Sequence, residues 1–479
     1  MPTAIPLAAR RVAASLALFF TCSLAAAQSA LPREVEAALA RAKLPREAVS
    51  MLVAEVDGQR PPRLAWRSQE PMNPASVMKL VTTYAGLDLL GPAYAWTTPV
   101  YADGAVRGGV LEGNLYIQGR GDPKLVVERL WLLLRRVQAL GIQRINGDIV
   151  LDRSAFDAGE PDPGAFDGRP LKSYNAGADA LLINYKSVVL RFVPDAAAQL
   201  ARVSIEPPLA GVALQSTVPL GNSGGNGCGD WRTQLRADYQ ATQFQFAGSF
   251  PAACGEADWA LAYPEPRSFS ARAIAGLWGE MGGQLSGVVR EGRVPPGLTP
   301  AFEVQSPPLA EVVRDINKFS NNVMADQLFL TLGLTQRRRG DFASARGALR
   351  QWWTERIGTG EGLPAFDNGS GLSLDGRISA AGLGRMLQVA WRSPVMPELV
   401  ASLPIVGVDG TLRRRQLRSG AAAHLKSGTM PEYGVSGLAG YVDGASGRRY
   451  VLVALANHAN AAAARAAFDA LVDWTAQDD

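Results

Sequence analysis

Short apolar runs at 50–56 and 63–67 flank the turn-rich Asp57-Gly58-Gln59-Arg60-Pro61-Pro62 and predict two antiparallel strands. Behind them Val77, Leu80, Val81, Tyr84, Leu87 and Leu90 recur near helical spacing, with Asn73-Pro74-Ala75 as a start signal. Ser76 then falls in the first turn of that helix, where backbone N–H groups are unpaired and the macrodipole is positive. From about 97 to 300 the pattern breaks into many short apolar runs separated by Gly, Pro, Asn and Asp, as at 111–117 and 202–205, which predict β-rich inserted modules. Inside that block the glycine-rich 221–227 reads as an exposed loop. Helical spacing returns with Leu309, Val312, Val313, Ile316 and Phe319, is interrupted by Ser320-Asn321-Asn322, and resumes at Val323, Met324 and Leu328. Residues two apart on a helix do not face each other, so Ser320 and Asn322 share a cleft only if the chain bends between them. Runs at 423–429, 435–442 and 450–456 predict three further strands, and 459–476 an alanine-rich helix. Two strands before the insertion and three after it make one antiparallel sheet. The fold class is α+β, with a catalytic domain divided in sequence by a large insertion.

Composition changes the picture in three places. The chain of 479 residues is 47% hydrophobic and 19% charged, which suits a globular protein with at least one large core. A net charge of +4 is too small to argue for nucleic acid. Residues 1–27 carry Arg10 and Arg11, an apolar run at 12–20 and Ala25-Ala26-Ala27, the pattern of a secretory signal. The run is shorter than the roughly 20 residues a membrane span needs, so an exported chain without a transmembrane anchor is expected. Once Cys22 leaves with that leader, Cys228 and Cys254 remain, an even pair that an oxidising compartment joins as one disulfide. No CxxC or histidine cluster points to a metal, and no cofactor is implied.

The chemistry sits in three segments: Ser76-Val77-Met78-Lys79, Ser320-Asn321-Asn322 and Lys426-Ser427-Gly428-Thr429. The first puts a hydroxyl nucleophile and an amine three residues apart on a helix, about 5–6 Å between β-carbons. For Lys79 to act as base, an amine ordinarily near 10.4 must be brought towards about 7, roughly 4 kcal/mol, and apolar Met78, Leu80 and Val81 suggest desolvation. Lys426 is a second cation that favours the same change and suits a substrate carboxylate. Ser320 can pass a proton towards a leaving amine and Asn322 can orient a substrate amide. Backbone N–H groups of Ser76 and Thr429 are the expected oxyanion donors, and Gly428 permits close approach of an acyl group to the strand.

Taken singly, each segment is an ordinary surface sequence: Ser-x-x-Lys on a helix is usually a solvated face, and Lys-Ser-Gly-Thr is a common strand-to-turn passage. Their chain order and context make the joint reading, together with a shortage of alternatives. His424 and His458 are the only histidines, so a Ser/His/Asp arrangement has almost no choice of base. Only seven lysines stand against 41 arginines, and arginine does not release its proton. His424 is read as structural, His458 as a cap or surface residue, the runs 337–339 and 413–415 as solvated faces, and Gly119-Arg120-Gly121-Asp122 as a turn.

With these residues in place the chain resembles the low-molecular-weight class C penicillin-binding proteins, D-alanyl-D-alanine carboxypeptidases and endopeptidases of the bacterial periplasm. The likeness extends to Gly121-Asp122-Pro123, Ser306-Pro307-Pro308-Leu309, and the stretches 367–373 (DNGSGLS), 403–412 (LPIVGVDGTL) and 437–441 (GLAGY). It departs at Ser427, where the family usually has threonine. The resemblance implies a penicillin-binding/β-lactamase-like transpeptidase domain, a five-stranded antiparallel sheet with helices on both faces, and an insertion forming two smaller domains. The expected division is a catalytic domain at 28–97 and 301–479 around inserted domains at 98–300, with an inner module near 180–265. It also implies Ser76 as acyl-ester nucleophile, Lys79 as proton acceptor, Ser320 as a further active-site residue and Lys426 as substrate-binding. Ser427, Gly428, Thr429 and Asn322 complete the expected substrate site. The expected partners are peptidoglycan stem peptides and cross-links, β-lactam antibiotics as inhibitors, and, left open, a second copy of the chain. Two alternatives stand beside this reading: a β-lactamase or esterase of the same fold, and a non-catalytic wall-binding scaffold.

Overall fold

The computed structural model describes residues 30–159, 162–221, 227–420 and 422–478. The expected leader at 1–27 and most of the glycine-rich loop lie outside them. Five antiparallel strands form the central sheet in the order Leu64–Trp66, Val49–Glu55, Arg449–Asn457, Val435–Asp443, Ala423–Met430. The first two precede the insertion and the other three follow it. Alternation along each strand divides its side chains between two cores. Met51, Val53, Leu438, Leu452 and Ala454 pack under helices Arg33–Arg41 and Arg465–Ala476. Leu52, Ala439, Tyr441, Val451 and Val453 face the larger cluster around helices Lys79–Leu90, Leu309–Phe319, Asn322–Arg337 and Ala380–Trp391. Because both faces are covered, these strands read as continuous apolar runs, unlike the in/out pattern of a half-solvated sheet.

The insertion leaves and re-enters through a paired stem, Thr97–Ala102 against Phe302–Gln305. These belong to a second five-stranded sheet with Leu115–Gln118, Ile149–Asp152 and Val289–Glu291. A third sheet has the order Phe250–Pro251, Thr217–Gly221, Leu200–Glu206, Ser187–Asp195, Ala257–Ala262. Next to it lies a small sheet of Ala213–Leu214, Gln243–Phe246 and Ala237–Gln240. Cys228 and Cys254 are joined by a disulfide, with Cα atoms 4.6 Å apart. The two longer helices of the insertion, Val127–Ala139 and Pro266–Glu280, contribute Leu130, Leu133, Leu134, Val137, Phe269 and Ile274 to one core shared with the strands.

The insertion docks on the catalytic helices through polar contacts. Gln327, fully buried on Asn322–Arg337, accepts the Asp179 N–H at 2.8 Å and donates to the carbonyls of Asp179 at 2.8 Å and Gly121 at 3.3 Å. Lys124 pairs with Asp315. Residues 119–122 are thus more than a turn: Gly121 meets the helix, and burial pushes the neighbouring Asp122 carboxyl up to about 6. Among the described residues no helix is long and apolar enough to cross a membrane.

Candidate active site

Ser76 stands in a 3₁₀ turn, Ala75–Met78, that runs directly into the helix Lys79–Leu90. The turn is clamped from outside. Asn73 accepts the Ala75 N–H at 2.9 Å through Oδ1 and donates through Nδ2 to the Ser373 carbonyl at 2.8 Å, while Asn457 holds both backbone groups of Asn73. Ala75 is held at φ 48°, the left-handed region a residue with a β-carbon seldom enters, and this strain is sustained by those contacts.

The break between the two later helices comes from backbone geometry. Ser320 takes a left-handed conformation, φ 57°, after Leu309–Phe319, and Asn321 restarts the chain as N-cap by accepting the Met324 N–H at 3.1 Å. The bend turns Ser320 and Asn322 into one cleft, as the spacing required. Ser320 Oγ accepts from Lys426 Nζ at 2.9 Å and Asn322 Oδ1 accepts from Lys79 Nζ at 2.6 Å.

Lys79 is completely buried, and its nitrogen reaches three oxygens: Ser76 Oγ at 2.9 Å, Asn322 Oδ1 at 2.6 Å and the Ser370 carbonyl at 2.6 Å. Burial brings its pKa down to about 7, opposed by the charge of Asp326. A neutral amine keeps two N–H donors for Asn322 and Ser370 and turns its lone pair towards the Ser76 hydroxyl. Lys426 is equally buried, and burial, with Lys79 as a like charge, pushes it well below the usual ammonium range.

The strand Ala423–Met430 is the sheet edge nearest the serine. Its pairing alternates: the Ala422 carbonyl faces the neighbouring strand, whereas the Leu425 N–H and Ala423 carbonyl bond outwards, to Pro404 and Val406. By the same parity the Ser427 and Thr429 N–H groups point out of the edge towards the cleft. Gly428 lies against the serine turn so closely that a β-carbon there would sit 2.7 Å from Ser76 N and 2.7 Å from the Pro74 carbonyl. This close approach brings the strand edge that carries Thr429 beside the Ser76 amide.

Two of the expected substrate residues are engaged within the protein. Asn322 has both ends of its amide occupied, since Nδ2 donates to the Tyr174 carbonyl of the insertion at 3.0 Å. It holds Lys79 and the insertion together, and these two contacts use one of its two N–H groups. Lys426 has no exposed surface; its ammonium bonds Ser320 and, at 2.6 Å, the Ser427 carbonyl. The groups open to the cleft are hydroxyls instead: exposed Thr429, and half-buried Ser427, 3.0 Å from Thr411 Oγ1. His458 Nδ1 accepts the Asn460 N–H at 3.1 Å, a local cap, and His424 makes no part of the serine site.

Three participants were missed from the sequence. The Ser370 carbonyl belongs to 367–373, a stretch singled out only by resemblance. Asp326 stands one helical turn beyond Asn322, a spacing that signals a shared face. Tyr174 acts through its carbonyl, which no side chain announces.

The site defines a serine acyl-transfer enzyme with a lysine in the place of a histidine base. The chain belongs to the D-Ala-D-Ala carboxypeptidase 3 (S13) family, whose pattern matches residues 31–478, and is a serine peptidase of the low-molecular-weight class C penicillin-binding type. It is 29% identical over 403 residues to a D-alanyl-D-alanine carboxypeptidase of Actinomadura sp. (strain R39), covering 79% of this chain and 72% of that one. A D-alanyl-D-alanine carboxypeptidase of Haemophilus influenzae is 23% identical over 393 residues, 80% of each chain. The fold matches the crystal structure of penicillin binding protein 4 from Haemophilus influenzae, with a TM-score of 0.71, 22% identity and coverage of 91% of this chain and 99% of that chain.

Proposed function

We propose that the protein removes terminal D-alanine from peptidoglycan stem peptides and cuts D-alanyl cross-links, through an acyl-enzyme on Ser76. The observation that carries this reading is the Lys79 nitrogen, 2.9 Å from Ser76 Oγ and brought to about 7 by burial. Neutral Lys79 takes the Ser76 proton as the oxygen attacks the D-alanyl carbonyl. The N–H groups of Ser76 and Thr429 hold the oxyanion. Collapse expels the amine, which receives a proton through Ser320, backed by Lys426 at 2.9 Å. Water then repeats the sequence on the ester and frees Ser76.

A substrate carboxylate rests on the hydroxyls of Ser427, Thr429 and Thr411, with the buried Lys426 amine behind them. Ser427 retains the hydroxyl where the family usually has threonine, so carboxylate binding survives. β-Lactams, which carry an acyl carbonyl and a carboxylate in similar relation, acylate the same oxygen. Work on the cell wall places the protein in the periplasm, reached through the leader at 1–27, where the Cys228–Cys254 disulfide persists.

Purified muropeptide monomers and cross-linked dimers, digested and weighed by mass spectrometry, test the reading. Loss of one alanine from monomers and conversion of dimers to monomers are expected, both abolished by Ser76→Ala. Intact muropeptides alongside rapid penicillin hydrolysis would favour a β-lactamase. Undiminished cleavage by Ser76→Ala would end the acyl-enzyme account.

A further inference from the structure

We infer that Asp326 is a positioning residue for Lys79: it anchors the turn whose carbonyl fixes the amine, and its charge balances the charge of that amine. The inference rests on the acyl-enzyme reading above and gives a role to a carboxylate which that mechanism leaves unused.

Asp326 lies four residues beyond Asn322 on the same helix, so the two side chains share the face turned to Lys79. Asp326 Oδ1 accepts the Gly369 N–H at 2.9 Å. On the other side of that residue Thr82 Oγ1, from the Lys79 helix, donates to the Gly369 carbonyl at 2.8 Å. Asn368 Oδ1 closes the turn by accepting the Gly371 N–H at 2.8 Å and the Ser370 N–H at 3.2 Å. Held at these points, the turn delivers the Ser370 carbonyl 2.6 Å from Lys79 Nζ. There is no slack: a β-carbon on Gly369 would stand 2.5 Å from the Ala325 carbonyl and 2.5 Å from Phe329 Cβ. Gly369, the residue that the carboxylate anchors, is thus one residue along the chain from the carbonyl that orients the base.

Charge supplies the second half. Burial lowers Lys79 to about 7 while Asp326 pulls it back up, and burial raises Asp326 to about 7 while Lys79 pulls it down. Groups this strongly linked titrate as a pair. Asp326 keeps the amine from becoming too weak a base to accept a serine proton at neutral pH. The other charged groups near the pair act less directly. Arg346, from Phe342–Arg356, lines the same cavity but is engaged by Asp367 at 3.8 Å. Asp162 and Tyr174 line the cavity from the insertion, the Tyr174 hydroxyl donating to Asp167 at 2.6 Å. Lys426 faces Lys79 from the strand, and burial together with the Lys79 charge pushes it well below the usual ammonium range.

Asp326→Asn keeps an oxygen for the Gly369 N–H and removes the charge; Asp326→Glu keeps the charge and strains the anchor. Second-order acylation rates with a chromogenic cephalosporin, measured from pH 5 to 9 on the full chain, separate the two contributions. For Asp326→Asn the acid limb is expected to move down by about one pH unit. For Asp326→Glu the limb should stay at the wild-type pH while the plateau rate falls. A carboxylate with only a structural role would leave the limb in place in both. Superposable limbs for wild type and Asp326→Asn, or an equal displacement in both variants, overturn the inference while leaving acylation intact. Absence of Ser76-dependent acylation in the wild type overturns the acyl-enzyme reading itself and this inference with it.

Discussion

Lys79 faces three oxygens, and its charge state decides which of them it serves. As an ammonium it donates to all three; as an amine it keeps Asn322 and Ser370 and accepts from Ser76. Acylation should therefore be complete above pH 7 and decline about tenfold per unit below it, because burial has brought the amine to about 7 and only its neutral form takes the proton. Penicillin acylation rates between pH 5 and 8 check this, and a flat profile would remove Lys79 from the role of base. Spacing made Ser76, Lys79, Ser320, Asn322 and Lys426 visible in the sequence, since nucleophile, amine and amide declare their chemistry by type. The surroundings did not show in the same way. Ser370 and Tyr174 contribute carbonyls common to every residue, and the full burial of Lys426 is a matter of depth that spacing does not encode.

The proposed oxyanion site needs a strand edge and a helix start within contact distance, and Gly428 sets that distance. A methyl there meets backbone atoms of Pro74 and Ser76 at 2.7 Å, neither of which can swing aside. Gly428→Ala should lower the acylation rate by about 10²- to 10³-fold, comparable to losing one oxyanion donor. The melting temperature should fall by only a few degrees, because the displacement is confined to the sheet edge. A variant with wild-type acylation would show that the two amides do not form the oxyanion site. Strands of the central sheet were legible as continuous apolar runs. The helices of the insertion were not, although Leu130, Leu133, Leu134 and Val137 have helical spacing. Trp131 and Leu132 between them are apolar yet exposed, so 130–134 reads as one unbroken apolar run that helical spacing does not separate from a short strand.

At the scale of the whole molecule the insertion is fastened to the catalytic helices rather than merely tethered by its stem. Gln327 satisfies the backbone N–H and carbonyl of Asp179 and the carbonyl of Gly121. Gln327→Leu fills the same space and strands those groups, at about 1–3 kcal/mol for each left unpaired. The melting temperature should drop by several degrees, and limited proteolysis should cut the insertion sooner than in wild type. Unchanged melting and digestion would show the docking to be incidental. The overall α+β plan and the long gap between Ser76 and Ser320 follow from where apolar runs begin and end along the chain. The docking was invisible there, because Gln327 meets a residue 148 positions away and a buried glutamine looks like a solvated one in sequence.

The central claim is a neutral lysine releasing the proton of one serine, and a covalent label reads it most directly. Benzylpenicillin incubated with the pure protein, followed by digestion and tandem mass spectrometry, should place one acyl group on Ser76, absent from Ser76→Ala and strongly reduced in Lys79→Met. An adduct on another side chain, or full labelling of Lys79→Met, would contradict the account.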